Sequence, residues 1–100
     1  MIYITQLIYV KPGQEAIFDE FENVAIPIVA KYNGRMLLRV RPRQENHIMQ
    51  PVEAPYEIHL ASFNSEADFE DFKADKERAK FLHLKEASIE KTLLIKGMAL

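Results

Sequence analysis

The stretch Ala30-Lys-Tyr-Asn-Gly-Arg-Met-Leu-Leu-Arg-Val-Arg-Pro-Arg43 decides the fold. Up to Tyr32 the apolar residues recur at helical spacing. From Arg35 onward charged and apolar side chains alternate with the period of two that belongs to a strand. Asn33-Gly34 is the joint, because glycine takes the left-handed conformation that ends many helices and asparagine tolerates it better than most residues. Strict alternation puts Arg35, Leu37, Arg39 and Arg41 on one face of the strand and Met36, Leu38 and Val40 on the other. The second set reads as core.

Upstream of this joint lies the helix it ends. Ile17, Phe18, Phe21, Val24, Ala25, Ile28, Val29 and Tyr32 form the stripe of a helix packed on a sheet, opening at Gln14 after the turn at Pro12-Gly13. Pro27 lies within the pattern and predicts a kink or break near Asn23. Before the helix, Ile2–Val10 reads as a strand apolar on both faces, hence central in its sheet.

Downstream, residues 43–55 are polar, contain two prolines and show no periodicity, as in an extended connection between two strands. Alternation resumes over Tyr56–Phe63. The apolar row Tyr56, Ile58 and Leu60 reads as the core side, leaving Glu57, His59 and Ala61 on the other face. Ser65 with Asp68 is a capping-box signature for a second helix carrying Phe69 and Phe72 inward. Another helical piece is expected over residues 75–86 and a last strand over Ile89–Gly97.

Strand, helix, strand, strand, helix, strand is the ferredoxin-like βαββαβ order, an α+β fold with a four-stranded antiparallel sheet and its helices on one face. The other face would be left apolar and uncovered, and joining two such faces about a two-fold axis would bury it. A homodimer is therefore expected. One hundred residues make a single domain spanning 1–100, and a chain this short buries only about 60–65% of its unfolded surface, which adds to the advantage of association.

A net charge of −2 argues against a nucleic-acid partner. The absence of cysteine removes disulfides and thiolate chemistry and fits a reducing, cytoplasmic setting. The N-terminal segment lacks a basic region and a cleavage site, so no signal peptide is expected, and no stretch approaches the apolar length needed to span a bilayer. The three histidines show neither His-x-His nor His-x-x-x-His spacing, so no metal site is expected.

Ala30-Lys-Tyr-Asn-Gly-Arg-Met-Leu-Leu-Arg39 is similar to the Lys-Tyr-Gly-Gly-Arg-Tyr-Leu-Val-Arg of small stand-alone proteins in the dimeric α+β barrel superfamily, a branch described only as domains of unknown function. Ser62-Phe-Asn-Ser resembles that branch's Phe-Pro-Ser before the second helix, and Leu84-Lys-Glu-Ala-Ser resembles its Leu-Arg-Glu-Gly-Ser. The chain departs from it at Asn33 for a glycine, Arg78 for a tyrosine and Lys85 for an arginine. The superfamily includes cofactor-free antibiotic-biosynthesis monooxygenases, lactone isomerases and haem-binding relatives. The resemblance implies a dimeric α+β barrel and, by analogy with the cofactor-free members, a small-molecule site inside the barrel that uses no cofactor.

Arg39, Glu57 and His59 are the residues best placed for chemistry, since they fall on neighbouring strands and, by parity, on the face away from the helices. In a closed dimer that face lines the barrel. A histidine beside a carboxylate and a guanidinium can act as a general base with an anion-binding neighbour. The plainer reading of the same set, and the one the residues favour, is a cross-strand ion-pair and hydrogen-bond network. Tyr3 and Tyr9 are candidates to stack on an aromatic ligand, and His47, in the long connection, to fold over the cavity mouth. Two readings follow: a monooxygenase- or isomerase-like enzyme, or a non-catalytic dimer that binds a ligand or serves a structural role.

Overall fold

A computed structural model describes all of residues 1–100. The chain runs β1 (Ile2–Val10), α1 (Glu15–Ile28), β2 (Gly34–Val40), β3 (Glu57–Phe63), α2 (Glu66–Lys73), α3 (Lys76–Ala79), α4 (Leu82–Ser88) and β4 (Ile89–Gly97). The four strands form one antiparallel sheet in the order β2-β3-β1-β4, which is the ferredoxin-like arrangement. β1 is central, as its two apolar faces require.

α1 does not break at Asn23. It continues to Ile28, with Pro27 in its last turn, and then tightens into a 3-10 turn over Val29–Tyr32. The proline removes a donor where the helix is already ending, so little regular structure is lost. Asn33, at φ 57°, takes the left-handed position, and Gly34 serves a different need. A Cβ on Gly34 would lie 2.6 Å from Phe63 Cε1 and 2.6 Å from Val29 Cγ1, so only glycine lets β2 approach the core this closely. α2 starts as its sequence indicates: Ser65 Oγ accepts from the Asp68 backbone N–H at 3.1 Å. Asp75 caps α3 in the same way, accepting from the Arg78 N–H at 2.8 Å.

The core lies between sheet and helices. Ile4, Ile8, Ala61 and Phe63 of the sheet meet Phe18, Phe21, Ala25 and Phe69 of the helices, all buried. Phe63 packs on Phe69 and Phe72 at centroid separations of 5.3 and 5.5 Å. Burying each such ring stabilises the fold by about 1.5–3 kcal/mol relative to leaving it exposed.

Strand parity departs from expectation in two places. On β3 the row Glu57, His59, Ala61 and Phe63 faces the helices, and Ile58 and Leu60 face away. The wholly apolar row therefore lies on the open side of the sheet. On β2, Met36 pairs with Ala61 and Leu38 with Leu60, so Leu37 is an extra, bulged residue. Met36, Arg39 and Arg41 therefore share the helix side. Leu37, Leu38 and Val40 are on the other, with 42%, 48% and 37% exposure. The assignment of Leu38, Val40, Ile58 and Leu60 to the core is overturned, as is that of Ala61 to the uncovered face.

Candidate functional site

Arg39 and His59 stand opposite each other in the β2–β3 register, and Glu57 lies two residues from His59 on the same face. Glu57 has no exposed surface. Its Oε2 accepts from Arg39 Nε at 2.8 Å and from His59 Nε2, and its Oε1 accepts from Arg41 Nε at 2.7 Å. Asp19 of α1 accepts from Arg41 and lies 3.8 Å from Arg39 Nη2. The Arg41 guanidinium also stacks 5.0 Å over the Tyr56 ring. Two strands and one helix are thus held together by alternating charges.

Burial alone would push Glu57 toward its neutral form. The hydrogen bonds from His59, Arg39 and Arg41 outweigh it and hold the carboxyl at about 2, well below its ordinary 4.5. An ionised Glu57 facing Nε2 requires the proton on that nitrogen. The Nδ1 lone pair is then the one basic site that His59 can offer.

His59 lines a cavity of about 70 Å³ between the sheet and the helices, walled chiefly by Ile4, Phe21, Ala25, Met36, Phe63 and Phe72. A second chamber of about 260 Å³ shares Gln6, Phe21, Glu22, Phe69, Phe72 and Arg78 with it and extends to Lys85, Thr92 and Leu94. Together they make an apolar cleft with a few polar groups converging on it, the usual composition of a small-molecule site. Buried Glu22 is raised above its ordinary value, first by burial and also by Glu57, against the opposing pull of His59, Arg39 and Arg78. Arg78 and Lys85 are both lowered, chiefly by burial. No three His, Cys, Asp or Glu side chains converge to hold a metal ion, and no helix is long and apolar enough to cross a membrane.

Arg39, Glu57 and His59 come together, but on the helix side of the sheet. The expected location inside a barrel closed by a second copy is corrected: the cleft, which only His59 of the three lines, lies between the sheet and the helices of a single chain. Arg39 is spent on Glu57 and does not line the cleft. Tyr3 and Tyr9 lie on the opposite face. Tyr3 borders a shallow depression with Thr5 and Ile95. Tyr9 is buried under the end of the long connection, donating from its hydroxyl to the Glu53 carbonyl at 2.8 Å. His47 stays out on that connection, its Nδ1 3.2 Å from the Gln44 carbonyl, and lines neither chamber.

Sequence reasoning missed Glu22, Arg78 and Lys85 as parts of this cleft. Glu22 had a signal, since it occupies a position of the apolar stripe between Phe18 and Ala25 where no charge belongs on a core-facing helix. Arg78 and Lys85 lie on short helices with no clear periodicity to reveal which way they face.

No protein-family model matches the sequence, and no curated protein matches it either. Solved structures do. A protein of unknown function from Rhodopseudomonas palustris superposes with a TM-score of 0.84 at 16% identity, over 99% of this chain and 82% of that one. A candidate antibiotic biosynthesis monooxygenase from Nitrosomonas europaea gives 0.76 at 8% identity, over 100% and 99% of the two chains. A dimeric protein of unknown function with a ferredoxin-like fold from Bacteroides fragilis gives 0.67 at 14%, over 96% and 93%. At these identities the likeness shows a shared fold and carries no activity with it.

Proposed function

We propose that the protein is a homodimeric, cofactor-independent small-molecule enzyme in which His59 moves a proton on an enolisable substrate held between the sheet and the helices. One observation carries this reading: His59, oriented through Nε2 by an ionised and fully buried Glu57, borders an apolar cleft. Nδ1 takes a proton from the carbon beside a carbonyl, or from a phenolic oxygen, leaving an enolate or phenolate and an imidazolium. Returning that proton to another carbon is an isomerase reaction. Letting the anion reduce dissolved dioxygen is the oxygenase route. Both begin with the same transfer, and a positioned base contributes about 10²–10⁴-fold to it. Glu57 acts as a positioning residue, and Arg39 with Arg41 keeps it ionised.

The homodimer is supported by the open face of the sheet. Leu38, Val40, Leu93 and Ile95 are 48%, 37%, 47% and 61% exposed there, an apolar surface of the kind that a second copy covers.

The test is hydrogen–deuterium exchange at the acidic carbon of a panel of small enolisable ketones and lactones in D2O, followed by NMR. Acceleration of one class by the wild type and its loss by at least about 10²-fold in His59→Ala are expected. Exchange that is no faster than buffer for every compound, or unchanged in His59→Ala, rejects the reading.

A further inference from the structure

We propose that Arg78 and Lys85 form a carboxylate-binding subsite in the larger chamber, so that the ligand is an organic anion whose apolar body lies against Phe21, Phe69 and Phe72. This rests on the cleft being a ligand site, but not on His59 moving a proton.

Arg78 is held in place before any ligand arrives. Its guanidinium sits 5.7 Å over Phe21 and 5.2 Å over Phe72, and Nη1 donates to the Lys73 carbonyl at 3.0 Å. That leaves the edge formed by Nε–H and Nη2–H, two parallel donors with the spacing of a carboxylate's two oxygens. Nε is buried with no acceptor, and no other buried side-chain polar atom in the protein lacks a partner. Buried donors are almost always satisfied, so an orphan on a side chain that lines both chambers asks for an explanation.

The charge balance points the same way. Neither Arg78 nor Lys85 forms an ion pair, although ten other contacts between cations and carboxylates and one involving His59 are present. Lys73 adds a third cation to the chamber wall but pairs outward with Glu70. The carboxylates nearby are committed or weakened. Asp75 accepts from the Tyr32 hydroxyl at 2.5 Å, from Lys31 and from the Arg78 backbone N–H. Glu22 makes no ion pair, and burial makes it hold its proton more tightly than usual. Arg78 and Lys85 therefore face a chamber of mixed lining in which Glu22 is the nearby carboxylate but touches neither of them, and a carboxylate from outside would supply the direct partner both lack.

Phenylacetate and its uncharged isostere phenylacetamide, with acetate and 1-naphthoate to bracket size, test this by calorimetric titration of wild type, Arg78→Gln, Arg78→Lys and Lys85→Met. The wild type should bind the best-fitting acid at least ten-fold tighter than the matching amide. Arg78→Gln should abolish that ratio, Lys85→Met should reduce it, and Arg78→Lys should recover part of it through charge without the fork. His59→Ala should leave the ratio intact, which separates this subsite from the proton-transfer reading. If Arg78→Gln fails to fold, the ratio in Lys85→Met decides. Equal affinity for acid and amide in the wild type, binding of neither by any compound, or a ratio unmoved by both substitutions overturns the proposal.

Discussion

Glu57 and Arg39 are joined at 2.8 Å across neighbouring strands, with the carboxylate wholly out of solvent and the guanidinium side chain 33% exposed. The anion is thus the sequestered partner, and it depends on cations that reach in from the edge strand. Removing the anion should hurt more than removing either cation. Glu57→Ala is expected to lower unfolding free energy by roughly 3–5 kcal/mol in urea titrations, as when one member of a buried pair is deleted. Asp19→Asn, whose side chain is 41% exposed, should cost less than about 1 kcal/mol.

The pH dependence has a definite sign. Glu57 is depressed in the folded state, so its contribution is present above its unfolded value near 4.5 and is lost as pH falls toward about 2. A shift of that size corresponds to roughly 3 kcal/mol. Thermal melts should show wild-type stability falling steeply across this window, and Glu57→Gln should flatten that part of the profile.

Glu22 works in the opposite direction. Its folded value is raised, so it favours the folded state below its unfolded value, and that contribution disappears as pH rises through the folded one. Glu22→Gln should therefore stabilise the protein at pH 7 and do so less at pH 4, measured by denaturant midpoints at the two pH values.

Gly34→Ala should destabilise by about 1–3 kcal/mol, because the added methyl meets Phe63 and Val29 in a filled core. Asn33→Ala should cost about 1–2 kcal/mol for the left-handed backbone, whereas Asn33→Gly should not. Chemical denaturation of the three variants distinguishes packing from backbone strain at adjacent positions.

If a second copy covers the open sheet face, Leu93→Glu should yield a monomer in sedimentation velocity runs at micromolar concentration. The buried core lies on the other side of the sheet, so the circular dichroism spectrum should be retained.

Element order and topology could be read from the sequence because periodicity changes cleanly at Asn33-Gly34 and at Ser65. Which face of the sheet meets the helices could not. Ile58 and Leu60 are more apolar than Glu57 and His59, and ranking faces by hydrophobicity alone chose the wrong one, although Tyr56, just ahead of the strand, does pack on Phe18 of the helix. The ranking fails when the face that the helices cover houses ion pairs. On β2 the alternation was misread for another reason: Leu37 and Leu38 share a side, and an extra residue in a ladder leaves no mark in composition. The grouping of Arg39 with His59 survived both errors, because two parity errors on paired strands cancel. The cleft itself depends on Glu22, Arg78 and Lys85, contributed by helices whose mutual placement is a tertiary fact.

The extra residue on β2 also bears on how the gene can change. A strand ordinarily cannot lose a codon, because every side chain beyond the gap would swap faces. Here the ladder already skips Leu37, so an in-frame deletion of that codon leaves Met36 opposite Ala61, Leu38 opposite Leu60 and Arg39 opposite His59. The shortened strand would run straighter at the sheet edge while both arginines still reached Glu57. Losing the codon for Leu60 from the partner strand has no such escape, since it would carry His59 and Glu57 through to the open face.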